Sequence, residues 1–332
     1  MTKPPKDRQP DEQDSGEESG PAGSRDEYAF SGDPFETPLP GSMPPIRPQD
    51  VGRTHRLPSL ENVLLRPVHH ITYGYSRDIG MVRSNNEDSL FTLFASQGNI
   101  EELPDFGLFI VADGAGGHAS GERASSVASR AFAGHVERHI YQPMLAQSLQ
   151  DAALDRPPIS EILIEAVHVA DRAVREAVPG GGTTLTAAVT IGDLVYVAHV
   201  GDSRAYLLSR DEKTDSYRMS VITRDHSVVK RLEEIGHISA QEASSHPEAN
   251  RLWKILGLTA NLEPDIVTRR LPADGYLLLC SDGLWNTVPE EALLETVVSA
   301  PTPQAACDQL IAAANANGGT DNITIIVVKV PA

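Results

Sequence analysis

Cysteine is nearly absent from this chain of 332 residues: Cys280 and Cys307 are the only two, too few for a disulfide framework. Neither can be a tyrosine-phosphatase nucleophile of the Cys-x5-Arg type, because Asn286 and Ala313 stand where the phosphate-holding arginine would have to be. Cys280 closes the apolar run 276–280 and reads as a small buried hydrophobe. Basic residues are scarce as well, 28 Lys and Arg against 46 Asp and Glu, for a net charge of -18. Nucleic acid and anionic membranes are bound through clustered Lys and Arg, so neither is expected as a partner. The acidic surface reads as a solubility device. No apolar run approaches the roughly 20 residues that span a bilayer. The opening Met-Thr-Lys-Pro-Pro-Lys lacks the apolar core of a secretory signal. A soluble, cytoplasmic protein is expected.

Proline is abundant but unevenly placed, with 12 of the 24 in the first 70 residues, among many Gly and Ser and without a sustained apolar period. Such a segment cannot bury enough apolar surface to offset the entropy of ordering it. Residues 1–68 are therefore expected to form a disordered acidic arm, and residues 69–332 a catalytic domain of a size that single α/β domains often reach. Residues 1–50 carry 11 acids and 5 bases, a net of -6, which leaves -12 for the rest, so the domain is acidic in its own right.

Within the domain, runs rich in β-branched residues predict strands near 71–76, 89–94, 107–112, 184–191, 194–200, 204–209, 276–281 and 322–330. Gly192-Asp193 is a turn signal joining two of them as an antiparallel hairpin. Helical spacing appears at Ala124, Val127, Ala128, Ala131, Phe132 and Val136, again from Ile162 to Val174, and near 289–299 and 303–315. Thr287-Val288-Pro289-Glu290 reads as a capping box with an early proline for the third helix. Consecutive strands with paired helices suit an α+β fold of two antiparallel sheets packed face to face with helix pairs outside, and disfavour a doubly wound parallel sheet.

Four acidic motifs end or begin apolar runs: Arg83-Ser84-Asn85-Asn86-Glu87-Asp88, Val111-Ala112-Asp113-Gly114-Ala115-Gly116-Gly117-His118, Cys280-Ser281-Asp282-Gly283-Leu284-Trp285 and Gly318-Gly319-Thr320-Asp321-Asn322. Mg²⁺ and Mn²⁺ take oxygen ligands and keep several waters, so carboxylates converging from distant strand ends are the pattern of a metal-dependent hydrolase. Gly114-x-Gly116-Gly117 before a helix superficially suggests a dinucleotide turn. An aspartate inside that turn would repel a pyrophosphate, and the other acids favour a metal.

With Gly182-Thr183-Thr184-Leu185-Thr186, Val200-Gly201-Asp202-Ser203-Arg204 and Thr223-Arg224-Asp225-His226-Ser227, seven segments stand in order between Ile71 and Val330. Together they resemble the type 2C, metal-dependent serine/threonine protein phosphatases in their bacterial version. The resemblance implies an α-β-β-α sandwich and hydrolysis of phosphoserine and phosphothreonine by direct attack of a metal-bridging hydroxide. It implies two catalytic Mn²⁺ or Mg²⁺ ions and a weaker third. It places the metals on Asp113, the carbonyl of Gly114, Asp282 and Asp321, with Glu87 and Asp88 reaching metal-bound waters or supporting the ligands. Asp202 matches a ligand for the third ion, shared with Asp282; a hairpin corner is its other reading. Arg83 matches the arginine that holds the substrate phosphate, its fork suited to two oxygens at once; an exposed pair with Glu87 is the alternative.

Eukaryotic members carry a histidine directly after the Asp-Gly pair, whereas this chain has Ala115 there and His118 three residues later. Bacterial members share His118 but usually have methionine at 115. His118 is thus a candidate general acid, a metal-bound water is its rival, and a histidine that fixes the glycine loop is a third reading. The irregular stretch from His226 to Gly257 matches the flap beside the catalytic cleft, or is a plain surface loop. Partners implied are phosphorylated proteins and a cognate serine/threonine kinase, with the chain itself a monomer. A catalytically silent phosphoprotein-binding module and a small-molecule phosphatase are the other functions weighed.

Overall fold

Phe106–Ala112 is buried along its whole length because both faces of the strand are covered. Side chains alternate across a strand, so Phe106, Leu108, Ile110 and Ala112 enter one apolar layer while Phe109 and Val111 enter another. The structure, a computed structural model, describes residues 70–96, 103–115, 119–147, 157–211, 213–239, 242, 246–248 and 251–331. The expected arm, residues 1–68, lies outside the described residues.

The strands are β1 (Thr72–Asp78), β2 (Ser89–Ala95), β3 (Phe106–Ala112), β4 (Gly114–Ala115), β5 (Gly182–Thr183), β6 (Leu185–Ile191), β7 (Leu194–Val200), β8 (Arg204–Asp211), β9 (Ser216–Val221), β10 (Asp265–Arg270), β11 (Tyr276–Cys280) and β12 (Ile323–Lys329). The helices are α1 (Ala119–Val136), α2 (Gln142–Gln147), α3 (Ile159–Ala177), α4 (Val228–Glu234), α5 (Asp282–Trp285), α6 (Glu290–Ser299) and α7 (Pro303–Ala316), with a π-helical turn, Glu137–Tyr141, between the first two. One five-stranded sheet has the order β1-β12-β11-β8-β9 and the other β10-β7-β6-β3-β2. Every neighbouring pair is antiparallel. This is the expected α+β sandwich.

Three apolar layers hold it together. Between the sheets lie Phe109, Val111, Val197, Leu207, Leu277, Leu279, Ile326 and Val328. Phe132, Val136, Leu163, Val167 and Val174 of α1 and α3 cover the outer face of the second sheet. Leu293, Val297, Leu310 and Ala314 of α6 and α7 cover the outer face of the first. Burial of this kind contributes about 25 cal/mol per Å² of apolar surface and is the main stabilising term.

Some details depart from expectation. Gly192-Asp193 does turn a hairpin, with Ile191 opposite Leu194. The capping box does not form: Pro289 occupies the cap of α6 without a side-chain hydrogen bond, and Thr287 Oγ1 instead donates to the carbonyls of Gly283 and Leu284. The hydroxyl is taken by the turn before the helix, so it cannot serve the helix itself. Strands β4, β5, β9 and β10 and helices α2, α4 and α5 were not predicted. Among the described residues, no helix is long and apolar enough to cross a membrane.

The strand registers gather the acidic motifs at one end. Asp113 follows β3, whose last residue Ala112 faces Ser89 at the start of β2. Asp282 follows β11, Asp321 precedes β12, and Asp78 at the end of β1 faces Ile323 at the start of β12.

Candidate metal and phosphate site

The backbone of Asp113 is fixed before its side chain can act. Its N–H donates to Thr184 Oγ1 at 2.9 Å, and its carbonyl accepts from the Thr184 N–H at 2.8 Å and from Thr183 Oγ1 at 2.9 Å. Gly114 then pairs with Thr183 in the short β4–β5 ladder. A Cβ at Gly114 would stand 2.2 Å from the carbonyl oxygen of Gly121, and one at Gly121 would collide with the Glu87 carboxylate. Only glycines allow Glu87, the Asp113 turn and the first turn of α1 to approach this closely.

Asp88 is 1 % exposed, and its Oδ2 accepts from Ser281 Oγ at 2.8 Å and Thr324 Oγ1 at 2.6 Å. Its Oδ1 is buried without a partner, as is Oδ1 of Asp282. Asp282 opens α5, where its Oδ2 accepts from Asn286 Nδ2 at 3.3 Å. Burial, set against these two hydroxyl donors, pushes the Asp88 carboxyl up to about 6. Asp113 and Asp282 are held well above the ordinary carboxylate range, by burial first and then by the surrounding aspartates: Asp88, Asp282, Asp202 and Asp321 act on Asp113, and Asp202, Asp321 and Asp88 on Asp282. Buried carboxylate oxygens that repel one another and lack donors are relieved by a cation. With no His or Cys in the set, the oxygen-only donors suit Mg²⁺ or Mn²⁺.

Among the described residues, no three or more His, Cys, Asp or Glu side chains stand assembled as a ready-made cage. A hard cation that keeps several waters needs only one or two carboxylates, so an open arrangement is compatible with such ions.

Asp202 lies on a turn whose alternative reading, a hairpin corner, does not hold. Strand β7 belongs to one sheet and β8 to the other, so Gly201-Asp202-Ser203 carries the chain across the sandwich, with Gly201 at φ 110°. The Asp202 carbonyl accepts from Trp285 Nε1 at 3.0 Å. The Trp285 ring lies 3.6 Å below the Arg204 guanidinium, which Asp225 grips through Nε at 3.0 Å and Nη2 at 2.7 Å. Burial, then the neighbouring Asp225, pushes the Asp202 carboxyl up to about 7.

Arg83 does not pair with Glu87. Its Nη2 donates to Asp321 Oδ2 at 2.6 Å while the side chain remains 54 % exposed. That hydrogen bond is the main reason its pKa is raised, with Asp282 and Glu87 adding to the field. Asp321 Oδ1 meanwhile accepts from the Asn322 N–H at 2.9 Å. Asn322 is a staple that sequence reasoning did not single out: its Nδ2 donates to the carbonyls of Ile79 at 2.9 Å and Asn85 at 3.0 Å, and its Oδ1 accepts from the Glu87 N–H at 2.8 Å. Thr184, Arg204, Ser281, Trp285 and Asn322 all lay inside the quoted motifs, whereas Thr324 gave no signal. His118, with Gly116 and Gly117, lies outside the described residues.

The described residues of the stretch 226–257 include two contacts with the same end. Leu256 and Thr183 exchange backbone hydrogen bonds at 3.0 and 3.2 Å. His226 accepts from the Gly201 N–H at 3.0 Å through Nδ1 and turns Nε2 toward Asp265 at 3.2 Å. Leu256 thus holds the strand that supports the Asp113 turn, and His226 holds the Asp202 turn.

An oxygen-only acidic cluster with a guanidinium at its mouth is the donor set of a metal-assisted phosphate hydrolase. Residues 83–312 match the family model described as protein phosphatase 2C. A relative, serine/threonine phosphatase stp of Listeria innocua, is 35% identical over 255 residues, covering 77% of this chain and 94% of its own length. The crystal structure of the Mycobacterium tuberculosis serine/threonine phosphatase PstP/Ppp is similar with a TM-score of 0.62 and 31% identity, over 79% of this chain and 99% of that one. The catalytic domain of PstP in complex with two manganese ions is similar with a TM-score of 0.60 and 30% identity, over 79% of this chain and 99% of that one. The chain belongs to the protein phosphatase 2C family and is an enzyme of that family.

Proposed function

We propose that this enzyme removes phosphate from phosphoserine and phosphothreonine in proteins, with Mn²⁺ or Mg²⁺ at the acidic end of the sandwich. The observation that carries this is the pair of buried, unpartnered oxygens, Asp88 Oδ1 and Asp282 Oδ1, together with an exposed guanidinium, Arg83, held on Asp321. Asp113, the Gly114 carbonyl, Asp282 and Asp321 would hold two ions, Glu87 would bind a water on one of them, and Asp202 with Asp282 would hold a weaker third. Metal held by these residues would supply a water of lowered pKa, and so hydroxide near neutral pH for attack on phosphorus. The names of the relatives, and the two manganese ions of the PstP structure, support this reading.

Arg83 would take two phosphate oxygens through its fork and offset the charge that develops during in-line displacement. Asp88 does not need to touch substrate: gripped by Ser281 and Thr324, it adds fixed negative charge behind the cluster. The serine or threonine oxygen leaves and takes up a proton, for which His118 is the candidate donor. The substrates are proteins phosphorylated by a serine/threonine kinase, and the chain acts as a cytoplasmic monomer in signalling, without nucleic acid or membrane as partner.

The test is Mn²⁺-dependent phosphate release from a phosphothreonine peptide, compared with a small aryl phosphate and with the metal chelated. Release that needs Mn²⁺ is expected. A flat result under every condition would point to a silent binding module, and release from the aryl phosphate alone to a small-molecule phosphatase.

A further inference from the structure

We propose that Met81 and Val82 form an apolar ledge that selects phosphoprotein segments carrying a large apolar side chain within about three residues of the phosphorylated serine or threonine. This rests on the phosphatase reading above and names the substrate class it favours. Met81 is 69 % exposed and Val82 68 %, with Ile79 beside them at 37 %. They immediately precede Arg83.

Isolated exposed apolar residues are ordinary, but these sit on a loop that is pinned rather than loose. The Met81 N–H donates to the Gly319 carbonyl at 2.7 Å. The Gly80 N–H donates to Asp78 Oδ1 at 2.8 Å, and Asn315 Nδ2 donates to the same oxygen at 3.0 Å. Asn322 grips the loop at Ile79 and again at Asn85. Gly80 is wedged so tightly that a Cβ there would stand 2.3 Å from the Asp321 carbonyl oxygen. The loop cannot fold these side chains inward without breaking the contacts that hold Arg83 over Asp321, so they stay displayed beside the phosphate position.

Among the described residues, anionic and polar groups also stand near Arg83: Asp321, Glu87, and Glu122 with Asn85 Nδ2 donating to it at 3.1 Å. Two exposed apolar side chains in succession, Met81 and Val82, are matched by an apolar side chain, and their place just before Arg83 sets which one. An extended peptide advances about 3.3–3.6 Å per residue, so with its phosphate on Arg83 a peptide running toward positions 82 and 81 brings the residues one to three away within their reach. Docking of this kind needs no movement of the loop backbone, so ordering on the enzyme side is confined to the exposed side chains.

The test uses two phosphothreonine peptides that differ only at the flanking positions, leucine in one and serine in the other, with the full chain and with the double variant Met81→Ser, Val82→Ser. Wild type should favour the leucine peptide by about tenfold in kcat/KM, the equivalent of roughly 55 Å² of apolar surface at 25 cal/mol per Å². In the double variant that ratio should fall to near one, while the melting temperature holds because both side chains are exposed. Equal rates for the two peptides in wild type, or a preference that survives in the variant, would overturn the ledge while leaving the phosphatase reading in place. No phosphate release from either peptide or from an aryl phosphate would overturn both.

Discussion

Arg83 and Asp321 are joined by a 2.6 Å hydrogen bond, so the side chain assigned to the substrate phosphate rests on one assigned to a metal. The bond spans two segments 238 residues apart and orients the guanidinium without using its whole fork. Arg83→Ala should therefore lower kcat/KM on a phosphothreonine peptide about ten- to a hundredfold, the worth of a charge-assisted bidentate contact. Manganese binding measured by calorimetry should not weaken, since Asp321 is freed rather than removed. An unchanged kcat/KM would show that Arg83 only pairs with Asp321.

Neutralising Asp282 should separate stability from activity. Its carboxyl is held well above the ordinary range by burial and by Asp202, Asp321 and Asp88, so near neutral pH its ionised form is unfavourable in the fold. Asp282→Asn should raise the melting temperature with metal chelated. Calorimetry should show weaker Mn²⁺ binding, and phosphate release should fall more than about a hundredfold, beyond the cost of losing an outer-shell partner. A variant less stable than wild type in chelator would contradict the electrostatic account.

Asp202→Ala tests the third ion. The Trp285 indole N–H holds the Asp202 carbonyl, not its carboxylate, so the turn between the sheets should survive the substitution. The expected result is a Mn²⁺ activation curve displaced toward about tenfold higher concentration, with little change in melting temperature. A superimposable activation curve would remove Asp202 from the site.

His199 gives a pH signature. It is fully buried, 2.9 Å from Thr186 Oγ1 and 3.0 Å from the Arg224 carbonyl, and burial, then the neighbouring His226, pushes it down to about 3. A folded-state pKa below the unfolded value of about 6.5 means the unfolded chain binds the proton more readily. Its contribution is thus complete above about pH 6.5 and is lost as pH falls toward 3. In urea unfolding, the stability of wild type minus that of His199→Gln should shrink by about 2 kcal/mol between pH 7.5 and pH 5. A difference independent of pH would show that His199 is not buried neutral.

Much of the sandwich was legible because most strands bury at least one face. Strands such as 106–112 and 323–329 announce themselves by unbroken apolar, β-branched composition. The two missed six-residue strands are the outermost of their sheets, β9 at one edge and β10 at another. Ser216–Val221 and Asp265–Arg270 expose much of their length and carry polar residues to match, so period and composition are both weak there. Helix α4, seven residues long, is too short to show a period. The acids of the site were visible one by one at strand ends. Their supports were not, because the grip of Ser281 and Thr324 on Asp88 exists only once β11 and β12 pair with Cys280 opposite Ile325.

Asp113 leaves one sheet, while Asp282 and Asp321 flank strands of the other. The gap between these carboxylates is therefore gauged by the filling between the sheets, as the opening of a calliper is set by what lies between its jaws. Packed sheets stand about 10 Å apart, and Ala188, opposite Phe109 in mid-strand, and Ala205, nearer this end, join Val111 and Leu279 in the filling. Enlarging either alanine would spread the jaws, and trimming Leu279 would let them close. Catalysis in this enzyme is thus exposed to substitutions that touch neither metal nor phosphate, through nothing more than the thickness of its middle layer.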